Sequence, residues 1–121
     1  MANTFKVVTF AAEPASAGTA YKMYTVAGST TTVVLGLILT NINTTAVTAE
    51  VELVSDTGNR GGANNVANGT SFLVKDVSIP AGSSLEVLTG GKVVLEATDE
   101  IKIDCSVADK LSGTLSIMEI T

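Results

Sequence analysis

Apolar and polar positions along this chain alternate with a period of two. Val47, Ala49, Val51 and Leu53 fall on one side of an extended segment and Thr48, Glu50 and Glu52 on the other, the pattern of a strand buried on one face. Ile101, Ile103, Cys105 and Val107 alternate in the same way with Glu100, Lys102, Asp104 and Ser106. No window holds a sustained helical stripe at i, i+3, i+4 and i+7. Thr and Val are abundant, and their stiff, branched side chains favour extended backbone.

The same reading predicts the remaining elements. Thr4 to Phe10 is a first strand, ending in a loop over Glu13 to Gly18. Ala20 to Val26 follows, with Tyr21, Met23 and Thr25 opposite Lys22, Tyr24 and Val26, and Gly28-Ser29 breaks it. Thr32 to Thr40 is apolar on both sides, as in a central strand or one covered by a partner. Asn41 to Thr45 is a polar turn. Asp56 to Thr70, rich in Gly and Asn, is one long loop and an exposed tip. Ser71 to Ile79 is closed by Pro80-Ala81-Gly82, Ser84 to Leu88 by Thr89-Gly90-Gly91, and Lys92 to Glu96 by Ala97-Thr98-Asp99. Asp109 to Ser112 turns the chain into a last strand, Gly113 to Ile120. Eight or nine short strands separated by turns predict one all-β domain over residues 1–121. The architecture expected is an antiparallel β-sandwich of jelly-roll or immunoglobulin-like topology. Residues 1–12 are either its first strand or an extended N-terminal arm.

Composition narrows what such a domain does. Of 121 residues, 45% are hydrophobic and 16% charged, with no His, one Cys and a net charge of −5. Histidine catalysis, a His-ligated metal and an internal disulfide are thereby excluded. Seven cations in a negative field do not clamp many phosphates, so nucleic acid is not an expected partner. The longest apolar stretch, Val33 to Leu39, is far shorter than the roughly 20 residues of a membrane helix, and no signal peptide is visible. High apolar content with so few charges predicts surface covered by another chain, hence a homo-oligomer or a docked subunit; the alternative is a surface kept soluble by abundant Thr, Ser and Gly.

The polar residues offer little chemistry. Glu100 and Asp104 share the polar side of a strand without the Asp/Asn/Gly constellation a calcium site needs, and read as a solvated face, as do Glu50 and Glu52. Asp99 stands in a turn, where its carboxylate caps backbone N–H groups. Cys105 reads as a small core residue. Neither Ser83 nor Ser84 has a base to activate it. Asn43-Thr44-Thr45 and Asn68-Gly69-Thr70 match the glycosylation pattern but read as turns. Catalytic residues, cofactors and metals are accordingly expected to be none, and the chain is expected not to be an enzyme.

The stretch Phe72-Leu73-Val74-Lys75-Asp76-Val77-Ser78-Ile79-Pro80-Ala81-Gly82-Ser83-Ser84-Leu85-Glu86-Val87-Leu88, followed by Gly91-Lys92-Val93-Val94-Leu95-Glu96-Ala97-Thr98-Asp99-Glu100-Ile101-Lys102-Ile103, resembles small virion structural proteins of tailed bacteriophages, including those of marine cyanobacteria. The upstream run Thr32 to Asn41 and the strand Leu115 to Ile120 extend the resemblance over roughly residues 30–121. Such proteins often carry Gly where Thr98 stands here. The resemblance implies a structural role in a phage particle, most directly a head decoration (cement) protein, often trimeric, that binds the major capsid protein and stabilises the shell. A tail, neck or fibre-adaptor component is the alternative, and a displayed glycan-binding module using Tyr21 or Tyr24 is a third reading.

Two regions are the expected contacts. One is the N-terminal segment with Phe5, Val7, Val8 and Phe10, either adding a strand to a capsid protein's sheet or forming the first strand of the sandwich. Removing residues 2–10 is expected to abolish attachment and leave a folded domain. The other is the two-sided run carrying Val33, Leu35, Leu37 and Leu39, covered by a partner or by the domain's own core.

Overall fold

The alternating segments fold as strands in the computed structural model, which describes residues 2–55, 69–88 and 90–121. They are β1 (Asn3–Glu13), β2 (Tyr21–Thr25), β3 (Thr31–Asn41), β4 (Val47–Ser55), β5 (Gly69–Ile79), β6 (Ser84–Glu86), β7 (Val93–Leu95), β8 (Glu100–Cys105) and β9 (Leu111–Ile120). Most of the loop predicted over Asp56 to Thr70 lies outside the described residues. Its last two positions belong to β5, and Leu111 and Ser112, predicted as turn, belong to β9.

The strands form two antiparallel sheets. The first has the order β1-β9-β3-β6, with β7 also paired to β3, and the second has the order β2-β8-β4-β5. The pairings are nested: β1 with β9, β2 with β8, β3 with β6 and β7, and β4 with β5. Such a chain is one long antiparallel ribbon rolled on itself, the jelly-roll member of the two topologies predicted. β6 and β7 are two halves of one strand position. The first half of β3 pairs with β7 and the second with β6.

A bulge in β3 explains why that segment is apolar on both sides. Thr32 and Val34 face inward, the register then shifts between Val34 and Gly36, and Leu37, Leu39 and Asn41 face inward after it. The extra residue, Leu35, moves the inward set from even to odd positions. Leu37 and Leu39 have no exposed surface and belong to the core. A second shift, between Lys22 and Tyr24, corrects the predicted arrangement of β2. Tyr21 and Tyr24, predicted on opposite sides, both pair with inward residues of β8, Ile103 and Ile101.

The core lies between the two inner faces, with Leu37, Leu115 and Ile117 from the first sheet against Val51, Ile101 and Ile103 from the second. Cys105 is buried among them, as predicted. Asn41 is fully buried at one end and satisfies its whole side chain locally. Its Nδ2 donates to the carbonyls of Thr45 (3.0 Å) and Ile79 (2.8 Å), and its Oδ1 accepts from the Asn43 N–H (2.8 Å).

A candidate interaction face on the first sheet

Side chains on the outer face of each sheet follow from the register. On the second sheet that face carries Lys22, Glu50, Glu52, Glu100, Lys102 and Asp104 at paired positions. Several of these charges are paired: Lys22 meets Glu100 at 3.1 Å, and Lys75 on β5 meets Glu50 at 3.1 Å. The bond to Glu50 holds the Lys75 ammonium above its ordinary pKa, and Lys75 also lies over the Phe72 ring at 4.6 Å. This is the solvated face the alternation predicts. Among the described residues no group of acidic, Cys or His side chains is arranged to hold a metal ion.

The outer face of the first sheet is different. Phe5 pairs with Met118, Met118 with Val33, and Val33 with Val94, giving an apolar row across four strands. Val7, Ser116 and Gly36 form the next row, and Thr9, Thr114, Ile38 and Glu86 the one beyond. Phe5 is 72% exposed and Val7 and Val94 each 62%. Glu86 is the one charged residue at these outer paired positions. A sheet face open to water ordinarily alternates to polar residues, and the second sheet does so while the first does not.

The structure divides the predicted contact residues between the two sides of this sheet. Phe5, Val7 and Val33 stand on the outer face, as a contact requires. Leu35 is half-buried at the bulge. Phe10, Leu37 and Leu39 are corrected to core positions, and Val8 is half-buried on the inner side opposite Leu115. Inward-facing residues are unavailable to a partner because the second sheet already covers them. Met118, Ile38 and Val94 were missed. They lie on three different strands, and no linear pattern brings them together with Phe5.

The segment considered as an arm is a strand of its own sheet, paired with β9 from Asn3 to Glu13. Its Phe10 ring is buried, edge-on to Tyr21 with centroids 5.3 Å apart. Removal of residues 2–10 would therefore strip a core aromatic and uncover β9. The expectation of an intact domain after that truncation is corrected. The tyrosines offer no exposed platform either. Tyr21 packs against the core, and the Tyr24 hydroxyl crosses between the sheets, donating to Glu119 Oε2 (2.6 Å) and bonding Thr32 Oγ1 (2.8 Å).

Glu119 is held from both sides, since Lys6 Nζ meets its Oε1 at 2.6 Å. Lys6 first, and then Tyr24, push the Glu119 carboxyl below its ordinary pKa. Burial chiefly, together with the bond to Glu119, raises the Tyr24 phenol from 10.0 to about 12. This polar node closes one corner of the sandwich. Asp99 plays the part its turn predicts, accepting from the Glu96 N–H at 3.0 Å. Among the described residues no helix is long and apolar enough to cross a membrane.

Neither the protein-family models nor the curated proteins contain a match to this chain. Among solved structures, a chain from the work titled "Bacillus endospore appendages form a novel family of disulfide-linked pili" is similar over 99% of this chain and 87% of that chain, with 17% identity and a TM-score of 0.49.

Proposed function

We propose that this chain is a non-enzymatic assembly subunit of a phage particle, a decoration protein that attaches to the head shell and stabilises it. The observation that carries the docking part of this reading is the asymmetry of the two outer faces: one is laced with ion pairs, the other presents an almost uncharged apolar row. The virion setting comes from the sequence resemblance. Burial of Phe5, Val33, Val94 and Met118 against a shell protein supplies the driving force, at about 25 cal/mol per Å² of apolar surface removed from water. Many copies on a symmetric particle add avidity.

The test is rebinding of purified protein to particles stripped of it. Val94→Asp places a carboxylate in the apolar row without touching the core, and is expected to abolish attachment. Lys102→Ala, on the opposite face, is expected to bind as the parent does. Full occupancy by folded Val94→Asp would refute attachment through this face.

A further inference from the structure

Four edge positions bound the two sheets, and three of them carry devices that discourage another strand from pairing. β2 is five residues long with a register shift in the middle. The β6/β7 edge is broken in two. β5 has two register shifts, Asp76 at φ 50° and the exposed charges of Lys75 and Asp76. Short, bulged or charged edges are how sheets avoid unwanted partners. β1 has the fewest of these over its first eight residues. It is regular from Asn3 to Phe10 and lacks proline there, and its single charge is Lys6, half-exposed and paired with Glu119.

The hydrogen-bond parity of β1 shows what its free edge offers. Ala2 and Thr121 exchange both backbone bonds, at 3.1 and 2.9 Å. In an antiparallel pair such exchange recurs at every second residue, so Thr4, Lys6, Val8 and Phe10 bond to β9. The N–H and C=O groups of Asn3, Phe5, Val7 and Thr9 then point away from the sheet. The side chains of these same residues lie on the outer face, whose one charge at the paired positions is Glu86.

We infer that β1 is a strand-addition edge whose occupant is the β1 of a second copy, paired antiparallel about a two-fold axis at Val7. That axis sets Val7 opposite Val7 of the second copy, Phe5 opposite Thr9 and Lys6 opposite Val8, so no like charges meet. An axis at Lys6 would oppose two ammonium groups. The join makes the two first sheets continuous and brings their apolar rows side by side on one face. It rests on the edge rather than on the docking face, and so stands or falls separately from shell attachment.

The experiment combines light-scattering mass over a dilution series with amide exchange on the isolated protein. The parent is expected at twice the chain mass, with the amides of Phe5, Val7 and Thr9 protected. Val7→Pro removes a donor that the register points away from β9, and proline is tolerated at such edge positions. It is expected to halve the mass, expose the Phe5 and Thr9 amides and keep a cooperative unfolding transition. Val94→Asp is expected to keep the doubled mass. A parent monomeric throughout the series, a trimer, or a dimer unchanged by Val7→Pro would overturn the inference. So would protection of these amides that appears only on the particle.

Discussion

The ring of Phe10 on β1 lies over Gly113 on β9, its register partner, so closely that a Cβ at Gly113 would collide with ring atoms Cε2, Cζ and Cδ2. The glycine leaves room for an aromatic ring to cover the backbone and fill the core beside Tyr21. This contact locks the N-terminal strand to the rest of the sandwich.

Gly113→Ala is accordingly expected to destabilise the fold by about 1–3 kcal/mol, the usual cost of overpacking. Phe10→Ala should cost about 3–5 kcal/mol through the cavity it leaves. Once Phe10 is gone, the added methyl has space, so Gly113→Ala should be nearly neutral in the Phe10→Ala background. Urea denaturation of the two single variants and the double variant checks this, and strict additivity would contradict it.

Thr98 occupies a left-handed conformation at φ 72° inside the Glu96–Asp99 turn, whose ends are joined by an N–H to C=O bond of 3.0 Å. A β-branched residue there costs roughly 1–2 kcal/mol relative to glycine. Glycine loses part of that benefit through the greater freedom of its unfolded chain. Thr98→Gly should therefore stabilise by about 0.5–1 kcal/mol, seen as a rise of a few degrees in Tm.

The Lys6–Glu119–Tyr24 corner predicts opposite behaviour at the two ends of the pH scale. The Glu119 carboxyl titrates below its ordinary value in the folded chain, so its contribution is complete above the ordinary carboxylate range and is lost as pH falls through the folded value. The Tyr24 phenol is raised to about 12, so its contribution is complete below pH 10.0 and is lost as pH rises from there towards about 12. Tyr24→Phe should remove the alkaline loss and, by leaving Glu119 and Thr32 short of a partner, cost about 1–3 kcal/mol at neutral pH. Denaturation midpoints across pH for parent and variant decide it.

Asn41→Ala should be more damaging than a polar-turn residue suggests. It removes two donors and one acceptor from a site with no exposed surface. The carbonyl of Ile79 is left without that partner in the buried end of the sandwich, and a cost of about 2–4 kcal/mol is expected. Thermal unfolding measures it, and a change within 0.5 kcal/mol, roughly a neutral surface substitution, would show that the loops hold without this residue.

Much of this could be read from the linear chain. Alternation around Val51 and Ile103 marked strands and their inner sides, because a half-buried strand must alternate and a shift of one residue would turn its apolar set to water. Asp99 and Cys105 also took the places their local context implied. Asn41 did not, since the sequence shows a polar residue in a turn and not that the end of β5 closes over it, with the Ile79 carbonyl on its side chain.

The sequence by itself determined the all-β class, the strand positions and the exclusion of histidine chemistry and of a disulfide within the chain. These follow from side-chain periodicity, backbone preference and composition, all of which act locally. The tertiary structure alone decided which apolar residues remain exposed. A bulge at Leu35 sends Leu37 and Leu39 into the core, and a shift at Met23 turns Tyr24 inward. Pairing across four strands aligns Phe5, Met118, Val33 and Val94, residues far apart in the chain. Burial is settled by which strand lies beside which and by what the second sheet covers, and neither is a property of any one segment.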